Sequence, residues 1–169
     1  GRRDEIMNTI RFTGIQVKEG KTAPIDDTVV KEERFSLFLN GSHFTDLVAS
    51  ANQVEELGAG FIISQGLSTE LNDVEVSGSE IRVQAPLSGA IETEIETTGS
   101  IGVIRPPPGK VGSDHSIAID EVYGITREIV TDLWRQTGGV HCSVLFHDEA
   151  IVARSSDVGR HNTVDKVIG

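Results

Sequence analysis

The most constraining feature of this chain is a polar stretch near its C-terminal end, residues 157–168. It reads DVGRHNTVDKVI, so charged and titratable side chains crowd together while valines and an isoleucine recur between them. A core segment would not carry so many polar groups, because each one buried without a partner costs about 1–3 kcal/mol. A disordered tail would not interleave them with apolar residues. We therefore predict a loop at Gly159 that opens a helix and displays polar groups into a site.

Length and composition restrict the class of protein. The 169 residues suffice for one domain, or one domain with a small appendage. A net charge of −11 argues against general affinity for nucleic acid or anionic membranes. The chain has no apolar run of about 20 residues, no signal-peptide pattern at its start, and one cysteine, Cys142, which excludes an intrachain disulfide. These features predict a soluble cytoplasmic protein.

Residues 1–98 are expected to form a β-rich part with one helix. An apolar run over 35–39 ends in Asn40-Gly41, a strong signal for a turn between strands. Residues 74–83 have the pattern of a hairpin, and strict alternation over 91–97 predicts a half-exposed strand.

The helix of this part is predicted over 54–63 from the spacing of its apolar residues. Asn52 is the expected N-cap. Two interior glycines, Gly58 and Gly60, weaken the helical pattern and suggest close packing against a neighbour.

A Gly/Pro-rich stretch over 99–116 is expected to be a long irregular loop and a domain boundary. Residues 117–169 are expected to form an α/β core segment. An apolar stripe from Ile125 to Trp134 predicts one helix, which ends at Thr137-Gly138-Gly139. Residues 140–153 alternate as two strands joined by a turn at 147–149.

The helix start after Gly159 is a candidate anion site. First-turn N–H groups and the partial positive charge of a helix N-terminus favour phosphate, and Arg160 adds a bidentate donor fork. His161 and Asn162 could contact the edge of a base or a pterin. The alternative is a simple capped helix start in which Asp157 and Arg160 form a local ion pair.

The turn at Gly138 and Gly139 leads into a strand through His141 and Cys142. Glycines allow close approach of a ligand, but an ordinary helix C-cap is the alternative. The hairpin that follows could bring this turn and Gly159 to one edge of a sheet. Cys142 is either a nucleophile, which needs a lowered pKa, or an inert buried thiol; His141 beside it should point to the opposite face. The spacing of the histidines and the cysteine predicts no metal site.

Several of these segments resemble the formate dehydrogenase accessory protein family, FdhD. Its members carry a Thr-Gly-Gly-x-His turn, matched at 137–141, and a Glu-Asp-Val-Gly-Arg-His-Asn-Ala-Val-Asp-Lys motif, matched at 157–166. Residues 54–66 resemble a further family segment, so the resemblance spans most of the chain.

The resemblance implies a fold and a function. The implied fold is a cytidine deaminase-like α/β (or α+β) core of sheet and helices, with a small β-rich N-terminal part. Family members accept sulfur from a cysteine desulfurase and pass it to the molybdenum cofactor, a bis(molybdopterin guanine dinucleotide), before its insertion into formate dehydrogenase. The cofactor, or a GDP-like part of it, would be cargo, with no tightly held metal. The implied cofactor-binding residues are Gly138, Gly139, His141, Asp157, Gly159, Arg160, His161, Asn162 and Lys166.

The chain departs from the family pattern in its sulfur chemistry. Ile101 and Ile104 stand where the family has the two cysteines of its Cys-Gly-x-Cys-Gly motif, and Ser156 replaces the glutamate before Asp-Val-Gly. Isoleucine cannot form a persulfide. Three hypotheses follow. Cys142 is the sulfur acceptor of a sulfurtransferase-like protein, or the protein is a binding module that holds the cofactor without modifying it, or the chain is a soluble α/β domain in which the motif has no function. The sequence leaves homodimer formation open.

Overall fold

In the described part, the residues up to 104 form eight strands and one helix, and the residues after them form three helices and one further strand pair. The structure, a computed structural model, describes residues 8–88, 92–95, 101–104, 112–114, 116–147 and 150–169. The strands are β1 (Thr9–Lys18), β2 (Lys21–Val30), β3 (Glu33–Leu39), β4 (Ser42–Ala49), β5 (Asp73–Ser77), β6 (Glu80–Gln84), β7 (Glu92–Ile95), β8 (Ile101–Ile104), β9 (His141–His147) and β10 (Ala150–Asp157). The helices are α1 (Val54–Ser64), α2 (Ile119–Glu128), α3 (Asp132–Thr137) and α4 (Arg160–Ile168). The predicted mixture of sheet and helix in the α+β class is confirmed. None of the helices in the described part is long and apolar enough to span a membrane.

A four-stranded sheet in the order β4-β3-β6-β5 carries the main core. Alternate residues of β3 turn inward, so Phe35, Leu37 and Leu39 are buried while their neighbours are not. They pack with α1 and with β6, which runs parallel to β3 and contributes Ile81 and Val83. The core therefore lies between this sheet and α1.

Both predicted turns of this sheet are confirmed. Asn40 and Gly41 have φ values of 50° and 83°, the left-handed pair that a two-residue hairpin requires, and they join β3 to β4. Gly78 (φ 60°) lies in the turn between β5 and β6. The strand predicted over 91–97 is confirmed as β7 at 92–95, and its remaining residues lie outside the described part.

Helix α1 is confirmed, but its predicted N-cap is wrong. Gln53, with φ 52°, precedes the helix and makes no side-chain cap bond. Asn52 instead donates from Nδ2 to the carbonyl oxygen of Ser156 in β10, at 3.0 Å. A tertiary contact with a strand more than 100 residues away thus takes the place of local capping.

Glycines allow α1 to lie directly against α4, which confirms the predicted close packing. A Cβ atom on Gly60 would lie 1.8 Å from the backbone oxygen of Asp165. A Cβ atom on Gly169, at the end of α4, would lie 2.1 Å from the oxygen of Glu56. Only glycine leaves room for these contacts between backbones.

The single helix predicted from Ile125 to Trp134 is divided into α2 and α3 in the structure. Thr131 has extended dihedrals between them, and its Oγ1 accepts a hydrogen bond from the N–H of Trp134 at 3.3 Å. A threonine that caps a new helix competes with continuation of the preceding one. The periodic apolar stripe cannot reveal this break.

Two further elements differ from the sequence-based expectation. Residues 101–104 form β8, paired antiparallel with β7, so the irregular loop predicted over 99–116 is wrong there. Residues 99–100, 105–111 and 115 of that range lie outside the described part. The N-terminal hairpin of β1 and β2 was not predicted, because its Glu19-Gly20 turn lacks the Asn-Gly pattern that marks such turns.

Candidate functional site

The β9–β10 hairpin brings the two glycine turns together, as the sequence suggested. His141 at the start of β9 pairs in register with Asp157 at the end of β10. Gly138, with φ 60°, ends α3 and donates its N–H to the oxygen of Trp134 at 2.7 Å. The chain then leaves β10 at Asp157 and opens α4 after Gly159.

A fully buried ion pair lies at the centre of this arrangement. Lys166 Nζ contacts Asp157 Oδ2 at 2.6 Å, and both side chains have no exposed surface. Nζ also donates to the carbonyl oxygen of Ser50 at 3.1 Å, while the N–H of Ser50 donates to Asp157 Oδ2 at 3.0 Å. Burial lowers the pKa of the Lys166 amine, and the Asp157 charge opposes that shift. The pair ties α4 to β10 and to the segment after β4.

The other carboxylate oxygen of Asp157 organises the turn itself. Oδ1 accepts from the N–H of Gly159 at 2.7 Å and from Asn162 Nδ2 at 2.9 Å. Asn162 Nδ2 also donates to the oxygen of Val48 at 2.8 Å. A Cβ atom on Gly159 would lie 2.7 Å from that amide nitrogen, which explains the glycine.

Three of the predicted cofactor-binding side chains therefore hold the turn. The polar side-chain atoms of Asp157, Asn162 and Lys166 form hydrogen bonds to one another and to nearby backbone groups. The alternative ion pair between Asp157 and Arg160 does not form, because the carboxylate is paired with Lys166 instead.

Arg160 and His161 are the residues that this turn displays. Both are exposed, and neither side chain makes a hydrogen bond or an ion pair within the described part of the chain. No side chain caps α4, whose N-terminus they occupy. A guanidinium fork beside a helix N-terminus can bind a phosphate or another oxyanion. His141 is also exposed, and it lies across from Asp157 at the same end of the hairpin.

Cys142 faces away from that turn. Its Sγ atom lies 3.4 Å from Thr131 Oγ1, at the start of α3, and the thiol is half-buried. The next residue, Ser143, contacts Thr163 of α4 at 2.6 Å, so alternation along β9 places the thiol on the opposite face of the hairpin. Ile101 and Ile104 begin and end β8, but their side chains lie outside the described part.

A second buried acid, Asp165, was not identified from the sequence. It accepts a hydrogen bond from Ser64 of α1 at 2.5 Å. Burial raises the pKa of this carboxyl above its ordinary value of 3.8, against the opposing effects of the Ser64 hydrogen bond and the His161 charge. The native state therefore binds this proton more tightly than the unfolded state, and the carboxyl lowers stability as the pH rises above 3.8.

Comparisons with known proteins agree on one family. The sequence model of the FdhD/NarQ family matches residues 30–169. The sulfur carrier protein FdhD of Wolinella succinogenes is 28% identical over 162 residues, which cover 85% of this chain and 57% of the relative. Protein FdhD of Methanocaldococcus jannaschii is 30% identical over 147 residues, with coverages of 86% and 59%.

A solved structure is also similar. The crystal structure of a protein assigned as a formate dehydrogenase accessory protein, from Desulfotalea psychrophila, aligns with a TM-score of 0.71 at 25% identity. The alignment covers 94% of this chain and 64% of that protein. The chain thus spans less than two thirds of the length of each of these three proteins.

Proposed function

The chain belongs to the FdhD/NarQ family, and we propose that it serves formate dehydrogenase as an accessory protein in the sulfur-carrier role of its relatives. Its cargo is the molybdenum cofactor in its guanine dinucleotide form. One observation supports this proposal above the others: the family motif folds into a locked turn that leaves Arg160 and His161 exposed, without a side-chain hydrogen bond or ion pair to the described residues.

The residues proposed for the cofactor site fall into an exposed group that contacts the cofactor and a more buried group that holds the turn. Arg160 and the N-terminus of α4 bind a phosphate group of the cargo, and His161 and His141 contact its ring systems. Asp157, Asn162 and Lys166 are positioning residues, because their polar atoms hold the turn in place. Gly138 and Gly139 form the turn between α3 and β9, and Gly159 lies in the turn between β10 and α4. These turns connect the two motifs to the β9–β10 hairpin.

Sulfur carriage is assigned to Cys142, the only cysteine in the chain. The family's cysteine positions hold Ile101 and Ile104, which have no sulfur. In the proposed step the Cys142 thiolate attacks the outer sulfur of a persulfide on a cysteine desulfurase. A new sulfur–sulfur bond forms at Cys142, the bond on the donor breaks, and the donor cysteine leaves as a thiolate. The exchange needs no oxidant or reductant.

A second candidate function is cofactor binding without sulfur transfer. The position of Cys142 favours it, because the thiol is half-buried beside Thr131, on the face of the hairpin away from Arg160. In this case the protein holds or delivers the guanine-nucleotide cofactor and another protein supplies sulfur.

Intact-mass spectrometry after incubation with a cysteine desulfurase and cysteine separates the two candidates. The sulfur-carrier proposal predicts that the wild-type chain gains the mass of one sulfur atom, that dithiothreitol removes it, and that Cys142→Ser gains none. An unchanged mass for the wild type would end the sulfur-carrier proposal and leave cofactor binding alone.

A further inference from the structure

The face of the β9–β10 hairpin that points away from α4 borders a cationic cavity of about 460 Å³. Its wall contains three arginines, Arg127, Arg135 and Arg154, and two carboxylates, Glu128 and Asp132. The excess of positive charge is notable in a chain whose net charge is −11. A cavity of this size and charge suits a small anion-bearing ligand.

The three guanidinium groups are accessible to such a ligand. Arg127 is exposed and makes no hydrogen bond or ion pair within the described residues. Arg135 contacts Asp132 at 2.7 Å and Arg154 contacts Glu128 at 3.2 Å, in both cases at the surface. Exposed pairs of this kind contribute little to stability, so a ligand oxyanion can share these guanidinium groups.

A more apolar cavity of about 640 Å³ adjoins the cationic one. Glu128 and Arg154 line both cavities, so their ion pair lies where the two meet. The second wall contains Gly124, Ile125, Phe146 and Ile151 together with Glu121. The two cavities thus offer one ligand a part with three guanidinium groups and a part with a larger share of apolar surface.

We propose that the two cavities form a single binding site for a small organic phosphate with an apolar body. The phosphate contacts Arg127, Arg135 and Arg154, the arginines of the first cavity. The apolar body lies against Phe146 and over Gly124. This site goes beyond the proposed function, because the cofactor contacts at Arg160 lie on the other face of the hairpin.

The fluorescent probe 1-naphthyl phosphate tests both halves of the site by titration against the full chain. It should bind about tenfold more tightly than either inorganic phosphate, which lacks the apolar body, or 1-naphthol, which lacks the charge. Arg127→Gln should weaken its binding about tenfold and leave 1-naphthol unaffected. Gly124→Leu should also weaken it, since the new side chain enters the apolar half.

Both variants are expected to fold. Arg127 is exposed, and a Cβ atom on Gly124 meets nothing within 4 Å. Arg11→Gln, at an exposed arginine of β1 that lines neither cavity, is the matched control and should bind the probe like the wild type. Absence of binding, equal affinity for 1-naphthyl phosphate and inorganic phosphate, or unchanged binding in Arg127→Gln would each overturn the proposal. Loss of binding in Arg160→Gln alone would also overturn it, by moving the probe to the α4 turn.

Discussion

Asp157 makes contacts at both of its carboxylate oxygens, and these contacts define the geometry of the family motif. One oxygen pairs with Lys166 and the other accepts from Gly159 and Asn162. Ser50, which donates its N–H to Asp157, and Val48, whose oxygen accepts from Asn162, belong to a segment more than 100 residues earlier in the chain. The sequence identified the motif but could not separate its buried residues from its displayed ones, because the groups that bury them are distant in sequence.

Replacing Lys166 by methionine should strongly destabilise the protein. The substitution keeps most of the side-chain volume but leaves the Asp157 carboxylate buried without its counter-ion. Removing one partner of a buried ion pair typically costs about 3–5 kcal/mol. Urea denaturation monitored by circular dichroism measures the change in the free energy of unfolding.

Two further variants make this result interpretable. The exposed substitution Arg160→Gln should change the free energy of unfolding by no more than about 0.5 kcal/mol. The double variant Asp157→Asn/Lys166→Met should be more stable than Lys166→Met alone, because it removes the unpaired charge. A Lys166→Met protein as stable as the wild type would show that the buried pair does not hold the turn.

At the scale of elements, the contact between α1 and α4 links the N-terminal sheet to the functional turn. Gly60 in α1 and Gly169 at the end of α4 allow the approach, and Ser64 at the end of α1 donates a hydrogen bond to Asp165 of α4. The sequence predicted α1, its close packing and the β9–β10 hairpin from local patterns. It missed the break at Thr131 and the β1–β2 hairpin, because a cap inside an apolar stripe and an atypical turn give weak local signals.

The substitution Gly60→Ala should force α1 and α4 apart. Its Cβ atom would lie 1.8 Å from the Asp165 backbone oxygen, and backbone cannot move aside as a flexible side chain can. We expect a loss of about 3 kcal/mol in the free energy of unfolding, the upper end of the usual cost of overpacking.

Gly124→Ala is the matched control for this prediction. Gly124 is also inside a helix, but its added Cβ atom meets nothing within 4 Å. Alanine there should stabilise α2 by about 0.5–1 kcal/mol. If both glycine variants changed stability alike in urea denaturation, the proposed contact between α1 and α4 would be wrong.

For the whole molecule, short sequence motifs were enough to identify the family, whereas the position of the candidate site could be found only from the tertiary structure. The motifs at 137–141 and 157–166 are local in sequence, so the resemblance to FdhD could be identified without a fold. The structure adds that the hairpin separates two faces, with Arg160 on the α4 side and Cys142 on the side of Thr131. Sequence spacing alone could not assign functions to these faces.

Isothermal titration calorimetry with GDP tests the central claim, that the locked turn binds a phosphate-bearing cofactor through Arg160. The account predicts that the wild-type chain binds GDP and that Arg160→Gln binds it about tenfold more weakly. Arg127→Gln, on the other face, should retain the affinity of the α4 turn for GDP. Equal affinity of the wild type and Arg160→Gln, with both proteins folded, would contradict the account.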